Sequence, residues 1–126
     1  MKFEYTIHGA PITKKNSQQI LTNPKTKRPF IAPSKQYKAY EKTALKELGK
    51  PKRPPLETPL NMKCLYYMPT RRKADLCNLI EATCDILVAA KILADDNCGI
   101  VVSHDGSRVL YDKDNPRVEV VLEDAV

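Results

Sequence analysis

The sequence predicts an α+β fold, a small mixed sheet with two main helices. Three observations lead there. Short runs near both ends and in the middle have the alternation or the β-branched content of strands. Two longer segments have helical spacing with cap residues at their ends. The order of elements (strand, basic hairpin, helix, strand, helix, strands) is not the regular alternation that builds a parallel sheet. At 126 residues, with 42% apolar and 29% charged residues, the chain is expected to form a single globular domain over residues 1–126.

Residues 2–8, KFEYTIH, place Phe3, Tyr5 and Ile7 on one face of a half-buried strand. A polar, basic stretch follows from Gly9 to Pro33, in which QQILT and RPFIA flank NPKTK as a short hairpin with a lysine-bearing tip. A connection this long in a small domain points to function or to ordering by a partner. Ser34 is the expected cap of a helix over about 35–49, which Gly49 stops. Lys35, Lys38, Lys42 and Lys46 form a basic stripe on it. The prolines of PKRPPLETP mark a loop, and LNMKCLYY at 60–67 reads as a strand. The clearest helix is expected over about 74–90, ADLCNLIEATCDILVAA. GIVVSH is a further strand, Asp105-Gly106 a hairpin turn towards SRVLY, and RVEVVL at 117–122 the last strand.

Charge is unevenly distributed. Residues 1–73 hold 17 Lys+Arg and 4 acids, whereas residues 74–126 hold 4 Lys+Arg and 11 acids, for a net +6 over the chain. A basic half suits a polyanion such as nucleic acid, and an acidic half beside that polyanion suits bound metal. The plain alternative is two halves that solvate or pair with each other. No apolar run approaches the roughly 18–20 residues of a membrane span, and Glu4 interrupts any signal-like start. A cytoplasmic protein without membrane contact is the expectation.

Cys64, Cys77, Cys84 and Cys98 have neither CxxC nor Cys/His zinc spacing. Cys77 and Cys84 stand two helical turns apart, about 10 Å, too far to bridge. Small apolar side chains in a reducing compartment are the expected role.

On a wheel of roughly 100° per residue, the 74–90 helix gathers Asp75, Asn78, Glu81 and Asp85 into one strip edged by Ala82 and Ala89. A helix N-terminus explains Asp75 through its dipole, but the like-charged i,i+4 pair Glu81 and Asp85 costs a few tenths of a kcal/mol. Asp95-Asp96-Asn97 follows the helix, and if the chain doubles back these acids approach the helix start. Carboxylates about 4 Å apart repel by roughly 4 kcal/mol at an effective dielectric of 20, which a cation offsets. Oxygen donors without thiols or paired histidines favour Mg²⁺ or Mn²⁺ over zinc. An Asp-rich turn is also ordinary loop composition. His104 ends a strand and is within reach of such a site, although a structural role at a hairpin explains it as well. The tyrosines 37, 40, 66 and 67 fit base stacking and core packing equally.

The stretch RRKADLCNLIEATCDILVAAKILADDNCGI resembles the core motif of the RusA family of Holliday-junction resolvases: a basic run, D-L-x-N, an apolar helix with a further Asp, then D-D. KKNSQQI and PSKQYKAYE resemble the N-terminal part of phage-type members, so the similarity covers most of the chain. The resemblance implies a homodimeric α+β endodeoxyribonuclease that nicks opposed strands of four-way DNA junctions with carboxylate-held Mg²⁺. It implies Asp75 and Asp96 as the essential carboxylates, with Asp95 and Asp85 accompanying them. The family's usual pattern is D-L-D-N, but the third residue here is Cys77, and Glu81 replaces a lysine expected one turn on. Glu81 lies four residues after Cys77, and helical side chains lean towards the N-terminus, so its carboxylate reaches towards the missing Asp's place. The lysine's positive charge would then come from Lys73, Lys14 or Lys15.

The expected site therefore has Asp75, Asp96, Glu81 and Lys73 as catalytic residues and Asp75, Asp96, Asp95, Glu81 and Asp85 as metal ligands. Lys14, Lys15, Asn16, Lys25, Lys27, Arg28, Lys35, Lys38, Arg71, Arg72 and Lys73 would contact DNA. The rival reading is a protein that binds branched nucleic acid with weak or no cleavage.

Overall fold

The computed structural model describes residues 1–14 and 18–125, and the backbone alone of Gln18, Gln19 and Pro33. Lys15 and Asn16, expected to contact DNA, lie outside the described residues. The strands are β1 (Lys2–His8), β2 (Gln18–Thr22), β3 (Pro29–Pro33), β4 (Leu60–Met68), β5 (Val101–Ser103), β6 (Arg108–Tyr111) and β7 (Arg117–Asp124). The helices are α1 (Lys35–Leu48) and α2 (Leu76–Ala89).

The main sheet is mixed, in the order β1-β7-β4-β5, with β6 also paired to β4. β7 is antiparallel to β1, from Lys2↔Glu123 to His8↔Arg117, and to β4, from Leu60↔Asp124 to Tyr67↔Arg117. Alternation then dictates what each face carries. The pairs Met62↔Leu122, Cys64↔Val120 and Tyr66↔Val118 form rows of buried side chains on one face. On the other face Arg117 stacks on its neighbour Tyr67, 3.8 Å from the ring centroid. The buried face is covered by Leu79, Ile86 and Leu87 of α2 and by Ala44 of α1, which join the same core. One hydrogen bond fixes α2 on the sheet: the Tyr66 and Thr83 hydroxyl oxygens are 2.7 Å apart. Because the Thr83 hydroxyl donates to the Leu79 carbonyl at 3.0 Å, Tyr66 must be the donor to Thr83.

The hairpin at 18–33 forms as expected, β2 against β3 with Ile20 opposite Ile31 and Leu21 opposite Phe30. Ser34 caps α1 by accepting from the Tyr37 N–H at 3.1 Å, and Gly49, at φ 69°, closes it. Two expectations need correction. Val101–Ser103 and Arg108–Tyr111 are not a hairpin pair: both run parallel to β4, as Leu60↔Val101 and Leu65↔Arg108 show. The Asp105-Gly106 turn exists, with Ser107 N–H bonded to the His104 carbonyl at 3.1 Å. It makes an outward loop rather than a reversal, because Asn61 of β4 accepts from Asp105 N–H at 2.8 Å and donates to the Asp105 carbonyl at 3.2 Å. Secondly, α2 begins at Leu76, so Asp75 is its N-cap rather than a residue within it.

Candidate active site

The site is built around α2. β4 ends at Met68, the loop through Arg71, Arg72 and Lys73 carries the chain out, and Asp75 turns it into the helix. Asp75 has the extended backbone of a cap (φ −89°, ψ 106°), and its Oδ1 accepts from the Asn78 N–H at 3.1 Å. A carboxylate here satisfies an orphan donor and faces the positive end of the helix dipole. Asp75 also opens onto a cavity of about 470 Å³ that it shares with Arg72, Lys73, Thr13, Gln36 and Met68. Both signs of charge therefore meet at the helix start.

A second depression, of about 310 Å³, lies further along α2 and is lined by Cys77, Ile80, Glu81, Cys84, Asp96 and His104. The chain after α2 does double back, but it brings Asp96 to the middle of the helix rather than to Asp75. Cys77 and Glu81 share this depression, as their i,i+4 spacing requires. His104 Nδ1 lies 3.1 Å from the Met62 carbonyl, so that nitrogen donates to it.

The two acids of the post-helix turn divide their roles. Asp95 accepts from the Asp96 N–H at 2.8 Å and from the Asn97 amide at 3.0 Å. Those bonds hold its carboxyl below the usual carboxylate range. Asp96 is pushed the other way, by desolvation first, then by its hydrogen bond and charge interaction with Asp95, and also by Asp85. Cys84 records the same field: burial pushes its thiol up to about 12, with Cys64, Asp96, Asp85 and Glu81 adding to the shift. Three carboxylates from two stretches of chain thus act on one helical turn.

Asp85 faces a different partner, the Lys14 ammonium at 2.9 Å. Among the described residues, no three His, Cys, Asp or Glu side chains stand close enough to form a ready metal cluster. The five acids expected as ligands are instead spread: Asp75 on the first cavity, Glu81 and Asp96 on the second, Asp85 on Lys14, and Asp95 within its own turn. Of the basic residues, Arg72 and Lys73 line the first cavity, and Arg71 stacks on Tyr111 at 4.3 Å. Lys25, Lys27 and Arg28 are exposed at the hairpin tip, and Lys35 and Lys38 are exposed on α1. Ala82, expected beside the acidic strip, is buried in the core instead. Sequence reasoning missed Thr13, Gln36 and Met68, which carry no charge or spacing signal for a site.

The family model of the endodeoxyribonuclease RusA matches residues 8–123, nearly the whole chain and every acid of the expected site. The chain belongs to the RusA family. No curated protein matches it. RusA membership makes the chain an endodeoxyribonuclease and implies action on Holliday junctions. The RusA residues present suit a hard divalent cation in kind. Their donors are carboxylate oxygens, and Asp96 is raised by desolvation first and then by its interactions with Asp95 and Asp85, a cost that a bound cation would relieve.

Among the described residues, no helix is long and apolar enough to cross a membrane.

Proposed function

We propose that this protein resolves four-way DNA junctions by Mg²⁺-dependent, paired hydrolysis of opposed phosphodiester bonds. The observation that carries the reading is the depression on α2 that Glu81 and Asp96 line together, a short way along the helix from a loop of three consecutive basic residues. Asp96 and Glu81, from one depression, and Asp75, from the neighbouring cavity at the helix start, are the residues that would hold the metal, with Asp95 and Asp85 as accompanying acids; Mn²⁺ suits the same oxygens. A divalent cation held there would supply Lewis-acid activation of water near neutral pH and would offset charge on the phosphate.

The chain's own residues do the rest. Lys73 and Arg72 draw the strand's phosphates towards Asp75, and Lys73 offsets charge at the scissile phosphate. Asp95 fixes the turn, so that Asp96 faces the helix without searching for its conformation. Arg71, Lys14, Lys25, Lys27, Arg28, Lys35 and Lys38 contact flanking phosphates, which position the duplex arms without reading sequence. Glu81 takes the place that the Cys77 thiol leaves without a carboxylate. A C₂ homodimer presents two such sites to a junction of matching symmetry, which yields paired nicks.

The test is a labelled four-way junction incubated with the protein, with and without Mg²⁺, against linear and flapped controls. Paired nicks confined to the junction are expected. Asp75→Asn and Asp96→Asn should abolish nicking and leave junction affinity nearly unchanged; a parallel loss of binding would contradict their role. Binding without nicks under both Mg²⁺ and Mn²⁺ would leave a branched-DNA binding protein instead. Glu81→Gln should lower nicking at least tenfold, and parental nicking by that variant would remove Glu81 from the site.

A further inference from the structure

Lys14 belongs to the irregular segment between β1 and β2, yet two helices hold its ammonium. Asp85 Oδ2 of α2 accepts from Nζ at 2.9 Å, and the Tyr37 ring of α1 lies beneath it, 5.6 Å from the centroid. Tyr37 is fully buried, so its ring is a packed platform within the roughly 6 Å reach of a cation–π contact. The preceding residue, Thr13, lines the cavity of Asp75. Residues 13 and 14 therefore run along the polar strip of α2, from its N-cap towards Asp85.

Two features separate this from an ordinary surface ion pair. An exposed pair of long side chains contributes little and holds no fixed geometry. Here both partners are only 36% exposed, and the ring gives the ammonium a second fixed contact. An ammonium also has three N–H donors. Asp85 accepts one and the ring covers one side, which leaves donor capacity towards solvent where a DNA strand would lie.

Charge supplies the reason for such a device. A phosphate approaching the strip meets Asp75, Glu81, Asp85 and Asp96, and each of these like-charge approaches is repulsive. A cation fixed inside the strip offsets that repulsion without having to be ordered when DNA arrives. We propose that Lys14 is a catalytic residue that contacts a non-bridging oxygen of the cleaved phosphate, and that Asp85 is a positioning residue that holds it there. This rests on the nuclease reading and changes two parts of it: Lys14 meets the cleaved phosphate rather than a flanking one, and Asp85 serves Lys14 and is not a metal ligand.

The experiment uses the full chain and compares the parent with Lys14→Met, Asp85→Asn, the double variant and Lys14→Arg. Single-turnover nicking of a labelled junction at saturating protein should slow at least tenfold in Lys14→Met and several-fold in Asp85→Asn. The double variant should be no slower than Lys14→Met, and Lys14→Arg should regain part of the rate. Mn²⁺ titration followed by paramagnetic resonance should give Asp85→Asn an affinity within twofold of the parent. Parental nicking by Lys14→Met, multiplying losses in the double variant, or a tenfold loss of Mn²⁺ affinity in Asp85→Asn would each overturn the proposal. If the parent itself makes no nick, the nuclease reading fails separately. The Lys14–phosphate interaction is then judged by junction binding, where Lys14→Met should flatten the plot of log affinity against log salt by about 0.9, and an unchanged slope overturns it.

Discussion

Asp75 carries two duties that a single substitution cannot separate but a pair can. Its carboxylate caps α2 and belongs to the proposed metal site. Asparagine caps a helix as well as aspartate, whereas alanine costs about 1 kcal/mol at such a position. Asp75→Ala should therefore lower the thermal midpoint by a few degrees relative to Asp75→Asn, while both abolish nicking equally; equal melting of the two would deny the cap. The cysteines allow a second residue-scale test. Cys77 and Cys98 are exposed, whereas Cys64 and Cys84 are buried with their thiols pushed up to about 12. The thiolate is the reactive form, so Ellman's reagent at pH 8 should titrate two thiols quickly and all four only after denaturation. At this scale the sequence is readable for charge and poor for geometry. The acids stand out, but that Asp95 spends its oxygens on its own turn while Asp96 faces the helix depends on backbone placement.

Elements with their own punctuation are the legible ones. Ser34 and Gly49 bound α1, and alternation bounds β1, β4 and β7, because caps and two-residue periods are local properties. β5 and β6 mislead because a short strand followed by Asp-Gly suits a hairpin, and nothing local reports that Asn61, more than forty residues away, captures the turn. The acidic strip of α2 is legible from the wheel, but the same wheel puts Ala82 at its edge although that residue packs in the core. The hairpin β2–β3 gives the prediction at this scale. It presents Ile20 and Ile31 as a cross-strand pair 76% and 67% exposed, with Lys25, Lys27 and Arg28 at its tip. Its exposed side chains add little to the core, so replacing the three tip cations by alanine should leave the melting temperature unchanged. Each phosphate that the protein no longer neutralises lowers the salt slope of junction binding by about 0.9. Three such phosphates, one per tip cation, make the expected fall about 2.7, and an unaltered slope would remove the tip from the interface.

Across the whole molecule, stability and chemistry favour opposite charge states. Asp112, bonded to the Arg117 guanidinium at 2.9 Å, titrates below the usual carboxylate range chiefly because of that bond. Its contribution is complete above the unfolded value of about 3.9 and is lost as pH falls through the lower folded value. Asp96 has the reverse sign. Its folded pKa is raised, so the folded state binds the extra proton, and stability falls as pH rises through the interval between the unfolded and folded values. At neutral pH the fold bears that penalty in full, as expected of an acid kept charged for function. Asp96→Asn should then melt higher than the parent at pH 7 without metal, and the difference should vanish near pH 3, where both forms are neutral. Adding Mg²⁺ reverses the ranking: a ligand bound only by the folded state raises the parent's midpoint, while the variant, lacking the carboxylate, gains little. Calorimetry at both pH values, with and without Mg²⁺, reads all four quantities. A variant that melts lower than the parent at pH 7 without metal would show that Asp96 supports the fold rather than straining it.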